Sequence, residues 1–224
     1  MLASMPMMLY LNNFYASDVG IPLMQLANLL LFARIFDLIT DPLVGYLSDH
    51  TRTRWGRRKP WMVASLPLLM LGIYKVLIPE AGADIVYLFT WLMVMWLGWT
   101  MLMIPYYAWG AELTTDYDDR TRVTGWRAAM GSVGSLLSIT LPVAAIMWFG
   151  LNGRAGIMRH TAIASLILIP IAVLITVTTV KEKPNVQAPA LQVFDGLKVM
   201  LKNGCFRWLV IAFMISSLGL AVLM

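Results

Sequence analysis

The chain has 224 residues, 59% of them hydrophobic and 13% charged, with a mean hydropathy of +0.73. Soluble domains carry about 25% charged residues, so this composition excludes an ordinary soluble domain and places the chain in lipid. The formal charge of +5 does not indicate nucleic acid, because the basic residues cluster in loops between apolar stretches, the pattern of membrane orientation. Cys205 is the single cysteine, which rules out an intrachain disulfide or thiolate metal site, and neither His50 nor His160 has a ligand-spaced partner. With no catalytic constellation in view, neither an enzyme nor a cofactor is expected.

In chain order, Met1 to Tyr15 is apolar with Pro6 inside it. It is shorter than the roughly 20 residues that span a bilayer and lacks the basic leader of a signal peptide, so the first helix is expected to be cut short. Asp18 and Gly20 make the turn into the next element. The second span is expected over Pro22 to Leu47, and it carries Arg34, Asp37 and Asp41 inside an otherwise apolar run. At about 100° per residue the three fall within a sector of roughly 60°, with Asp37 and Asp41 one turn apart.

Ionisable groups at that depth are costly and face a bundle interior or water-filled cavity on an ion or substrate path. One Arg and two Asp leave that face one negative charge in excess, which a proton or a metal cation complements. Pro42 lacks an N–H and leaves the Leu38 carbonyl without its usual helical partner, offering a further oxygen between the two carboxylates. The alternative is that Arg34 neutralises Asp37 or Asp41 purely as glue between helices.

A basic loop follows, with Arg52, Arg54, Arg57, Arg58 and Lys59. Further spans are expected over Met62 to Ile78, Ile85 to Gly110, Val123 to Phe149 and Thr161 to Val180, with the start of a seventh over Phe206 to Met224. The expected organisation is a bundle over residues 1–180, a polar linker over 181–205 with an amphipathic surface segment from Leu191 to Leu201, and the seventh helix from 206. The fourth-to-fifth region holds Arg120, Arg122 and Arg127, and the linker region Lys181, Lys183, Lys198, Lys202 and Arg207, whereas the opposite side has Arg154 and Arg159. By the positive-inside rule the first set is cytoplasmic, and so is the amino terminus. The expectation is an all-α integral protein of the plasma (inner) membrane. Helix five carries a small-residue face, Ala128, Gly131, Ser132, Ser135 and Ser138, suited to close helix contact.

The run RIFDLITDPLVGYLSDHTRTRWGRRKPW, Arg34 to Trp61, resembles the signature of the glycoside–pentoside–hexuronide:cation symporters, the melibiose-carrier branch of the major facilitator superfamily. In that family the second helix carries a D-x-x-x-D-P pair, followed by a basic loop ending R-x-G-R/K-x-K/R-P-W. The resemblance covers nearly the whole chain in helix order and implies the N-terminal six-helix half of such a transporter plus the start of the seventh helix. The C-terminal half is then an expected partner, beside the lipid bilayer. It also implies that Asp37 and Asp41 form the coupling-cation site, for sodium as a metal ligand pair or for a proton, with Arg34 as charge partner.

Further residues follow from the resemblance. Tyr107 matches a sugar-stacking aromatic and Arg127 the helix-five arginine that reaches the sugar; the alternatives are an interfacial aromatic and a cytoplasmic-end anchor. Trp91 and Trp109 belong by position to the interfacial belt. Gly45, Asp49, Gly56, Arg57 and Arg58 resemble the superfamily's cytoplasmic loop motif, which latches helix ends in one conformation, with Glu112, Asp116 and Arg120 as its partners across the bundle; plain orientation charge is the alternative. The acidic sugar contact of the family's first helix falls near Leu2, which is not acidic. A second departure is Met103, where melibiose carriers have an aspartate; Thr100, one turn earlier, is retained and offers the cation a hydroxyl. The expected function is cation-coupled symport of a sugar or glycoside by alternating access, with lipid-type transport within the family or a non-transporting membrane half-subunit as alternatives.

Overall fold

The computed structural model describes residues 11–80, 82–114, 116–149, 154–180, 182 and 202–223. Among these the backbone is almost wholly helical, and the one β feature is an isolated bridge between Thr53 and Gly56. Helix α1 is α-helical over residues 11–14 and π-helical over Tyr15–Val19, and Gly20 closes it at φ 86°. Then follow α2 (Leu23–His50), α3 (Lys59–Leu77), α4 (Ile85–Glu112), α5 (Tyr117–Phe149), α6 (Arg154–Thr179) and α7 (Gly204–Leu223). The all-α expectation holds, and each expected span is a helix. The amphipathic segment expected over Leu191 to Leu201 lies outside the described residues, as do residues 1–10 of the first span.

Four of these helices, Leu23–His50, Lys59–Leu77, Ile85–Glu112 and the Gly156–Thr179 part of α6, are long and apolar enough to cross a membrane. Polar caps mark the starts of two helices, α4 and α5. Asp84 caps α4 by accepting from the Tyr87 N–H at 2.8 Å. Asp116 Oδ1 accepts from the N–H groups of Asp118 and Asp119 at 3.0 and 3.2 Å, so α5 starts at Tyr117, ahead of the apolar pattern at Val123. Likewise α6 starts at Arg154, which puts Arg154 and Arg159 in its first turns rather than in a loop. Helix α2 runs unbroken through Pro42.

The chain divides into two compact units, Met1–Pro184 and Asn185–Met224. In the first, α3 packs most extensively on α4, α2 on α4, and α6 on α3 and α5. The buried core is made of Leu69, Ile73 and Val76 of α3, Leu88, Leu92 and Met95 of α4, and Met158 and Ala162 of α6. Tyr15 is fully buried against it and donates its hydroxyl to the Val76 carbonyl at 2.7 Å, tying α1 to α3.

The α3–α4 crossing depends on glycine. A Cβ on Gly98 would stand 2.7 Å from the Leu69 N and 2.9 Å from its Cα, distances that no side chain accommodates without backbone movement. Helix α5 is exposed along residues 121–130, and of its small-residue face Ser132 and Ser135 return their hydroxyls to carbonyls of their own helix. In the second unit, α7 starts at Gly204, where Asn203 Oδ1 accepts from the Cys205 N–H at 3.0 Å.

Candidate functional site

Arg34, Asp37 and Asp41 share one face of α2 because they are three and four residues apart on an uninterrupted helix. Arg34 Nη1 lies 3.7 Å from Asp37 Oδ2, at the edge of ion-pair contact. The other oxygen, Asp37 Oδ1, is buried without a hydrogen-bond partner among the described residues. Asp41 is served from the neighbouring helix: the Thr100 hydroxyl donates to Asp41 Oδ1 at 3.0 Å, and Thr100 is buried. A hydroxyl donating its one proton to a carboxylate keeps lone pairs free, so Thr100 remains able to present oxygen to a cation beside Asp41.

Trp96, one turn before Thr100 on α4, places its ring 5.4 Å from the Arg34 Cζ. The contacts between α2 and α4 keep the same order on both helices: Arg34 with Trp96, Asp41 with Thr100, and Gly45 beside Ile104. The two helices therefore run parallel, and one face of α4 presents a series of groups to the charged face of α2. Further along α4, Tyr107 meets Arg127 of α5, whose Cζ is 5.0 Å from the ring centroid. Thus the structure brings together both residues that the resemblance assigned to substrate. Met103, between Thr100 and Tyr107 in sequence, is partly buried.

A second cluster joins the helix ends on the side of the basic loop. Arg58, 4% exposed, reaches Asp49 Oδ1 at 3.0 Å and Glu112 Oε1 at 2.7 Å through Nη2. Its Nε donates to Glu112 Oε2 at 3.2 Å, and Arg57 Nη2 donates to the same carboxylate at 2.9 and 3.0 Å. The planar Arg58 guanidinium thus grips Glu112 through two nitrogens, the two-point fit of a fork to a carboxylate, while Arg57 shares one nitrogen between both oxygens. One carboxylate was missed in the sequence: Glu182, beyond the end of α6, accepts from the backbone N–H groups of Arg57 and Arg58 at 2.9 and 3.2 Å. It thereby serves the open N-terminus of α3.

Gly56 makes room for this. Its φ of 112° suits glycine, and a Cβ there would overlap the Glu182 carboxylate. Lys59 completes the tie by donating to the Val177 carbonyl of α6 at 2.7 Å, and it lies over the ring of Trp109, which is buried rather than spread in an interfacial belt.

The remaining expected members of this cluster lie apart from it. A Cβ on Gly45 would meet the Ile104 side chain at an ordinary 3.6 Å, Asp116 is used as the cap of α5, and Arg120 donates to the Ala111 carbonyl at 3.2 Å. Asp116 is used within its own turn, whereas Arg120 reaches from α5 back to the end of α4, beside Glu112 but not to its carboxylate. The signal for Trp96 was its spacing of four from Thr100. Glu182 offered only its position just past an apolar span.

Membrane-length helices with charge on their facing sides define an integral membrane protein whose interior handles polar groups. The sequence profile of the MFS/sugar transport protein family matches residues 1–224, and the chain belongs to that family. Among its relatives, the inner membrane symporter YicJ of Escherichia coli (strain K12) is 30% identical over 186 residues, 81% of this chain and 40% of that protein. The putative glycoside/cation symporter YagG of the same strain is 28% identical over 208 residues, 89% of this chain and 44% of that protein. The isoprimeverose transporter of Lactiplantibacillus pentosus is 24% identical over 215 residues, 91% of this chain and 44% of that protein. The chain therefore spans less than half the length of these relatives.

Proposed function

We propose that this chain supplies the cation-coupling half of a secondary transporter that moves a sugar or glycoside together with sodium or a proton. The observation that carries this reading is the buried Asp37 Oδ1, without a hydrogen-bond partner among the described residues, one helical turn from an Asp41 already oriented by Thr100. Two carboxylates and a hydroxyl at membrane depth form an all-oxygen donor set that suits a hard monovalent cation or a shared proton. The relative named as a glycoside/cation symporter supports the pairing of sugar and cation. Tyr107 and Arg127 are the substrate-facing residues of this reading, an aromatic face for a sugar ring and a guanidinium for its hydroxyls.

Arrival of the cation cancels the excess negative charge of the α2 face and favours the substrate-bound, closing state. The Asp49, Arg57, Arg58, Glu112 and Glu182 cluster ties the cytoplasmic helix ends together and biases the inward-closed conformation. The density of arginine in the basic loop supports a cytoplasmic position for that cluster and for the amino terminus, and in this reading a second six-helix half completes the transport path.

The test is uptake of labelled glycosides by the protein expressed from its own reading frame, with sodium and pH gradients imposed separately. Gradient-dependent accumulation of a sugar is the expected result. Accumulation of a lysophospholipid but no sugar, or uptake indifferent to both gradients, overturns the reading.

A further inference from the structure

Arg34 stands between a carboxylate and an aromatic face. Its Nη1 is 3.7 Å from Asp37 Oδ2, longer than the roughly 2.7–2.9 Å of a close charge-assisted bond, while its Cζ is 5.4 Å from the ring centroid of Trp96. The Trp96 indole N–H is buried without an acceptor among the described residues. No hydrogen bond to them orients the ring, and its face toward the guanidinium is the polar contact it makes. Arg34 is 73% exposed at the side chain, so space exists for the guanidinium to swing. Without the ring, its favoured alternative is a two-point pairing with Asp37 that occupies both carboxylate oxygens.

We propose that Trp96 is a positioning residue of the cation site: its indole face holds Arg34 off Asp37 and keeps Asp37 Oδ1 open to the incoming cation. The proposal rests on Asp37 and Asp41 being that site. Cation entry at Asp37 weakens the Arg34 pairing, and the ring offers the displaced guanidinium a place to rest, since a cation over an indole face is attracted by the ring quadrupole. The one α4 face thus acts twice, Thr100 orienting Asp41 by donation and Trp96 restraining the competitor of Asp37. Cation affinity, rather than substrate affinity, is the quantity that Trp96 sets.

The experiment uses the protein expressed from its own reading frame in lipid nanodiscs. Sodium chloride against choline chloride is followed by calorimetry, and proton binding by infrared pH titration of the carboxyl band. Trp96→Leu is expected to weaken binding of whichever cation the unaltered protein takes by about fivefold to tenfold, and Trp96→Phe, which keeps a ring face, by no more than about twofold. In an Arg34→Gln background, where the competitor has no charge, Trp96→Leu is expected to have no further effect.

Equal loss in the Leu and Phe variants at matched folded fraction, or undiminished loss in the Arg34→Gln background, overturns the role of Trp96. Asp37→Asn separates the two claims. Unweakened cation binding in that variant removes the site and the proposal with it, whereas abolished binding beside an unaffected Trp96→Leu removes the proposal alone.

Discussion

Thr100 on α4 donates its hydroxyl to Asp41 on α2 at 3.0 Å, a contact between residues 59 apart in sequence. It fixes one carboxylate of the α2 pair while the nearer charge, Arg34, engages the other. Replacement of Thr100 by Val keeps the side chain's shape and removes the donor. A hydrogen bond to a charged group contributes about 1.5–3 kcal/mol, so cation half-saturation of transport is expected to rise by roughly tenfold or more, with maximal uptake at saturating cation little changed. An unchanged cation titration would show that Asp41 needs no such orientation.

Asp37→Asn and Asp41→Asn each remove one charge and keep size and hydrogen bonding. The α2 face then goes from net minus one to zero and no longer attracts a cation. Gradient-driven accumulation is expected to fail in both while energy-independent exchange survives, measured in proteoliposomes and normalised to folded protein. If the pair were only glue for Arg34, the loss would appear instead as a lower folded yield, since stranding a buried charge costs about 3–5 kcal/mol; Arg34's exposure makes that cost smaller here.

Arg58→Lys tests the charged cluster at the basic-loop end of the helices. Arg58 is buried and reaches Asp49 and Glu112 together, a geometry that an ammonium point charge does not reproduce. The variant is expected to insert normally and to shift the protein toward the inward-open state, read as increased alkylation of cysteines placed along the cytoplasmic half of α4. Glu182→Gln, which keeps an acceptor for the α3 N-terminus but loses its charge, is expected to shift it in the same direction by less.

Gly98→Val addresses the fold rather than the site. A Cβ at Gly98 already meets the Leu69 backbone at 2.7 Å, and the extra methyls of Val increase the overlap. Overpacking of this kind costs about 1–3 kcal/mol, and at a backbone contact the upper end applies. The expected outcome is a markedly reduced yield of folded protein by fluorescence-detected size-exclusion chromatography, whereas Gly110→Ala, with open space around its Cβ position, leaves the yield near normal.

Orientation is checked by labelling. A cysteine at Gly82, in the turn between α3 and α4, is expected to react with an impermeant reagent from outside intact cells, and one at Trp55, in the basic loop, only after permeabilisation. The opposite pattern reverses the assignment of every loop.

Several features were legible in the sequence because they depend on residues close together along it. Hydropathy decides which segments lie in lipid, helical periodicity alone puts Arg34, Asp37 and Asp41 on one face, and the density of arginine after α2 assigns the basic loop to one side. A local signal also explains the displaced start of α5, since the cap at Asp116 precedes the apolar pattern that begins at Val123. Partners across the bundle are a different matter. Charge restricts Glu112, Asp116, Arg120 and Glu182 to one end of the helices, but only packing decides that Glu112 and Glu182 meet Arg57 and Arg58 while Asp116 caps α5 and Arg120 goes to the Ala111 carbonyl at the end of α4. The same holds for Trp96 over Arg34 and Thr100 on Asp41. Their register follows from how α2 seats on α4, where a Cβ on Gly45 would stand 3.6 Å from the Ile104 side chain, a steric fit between distant segments that no spacing along a single helix encodes.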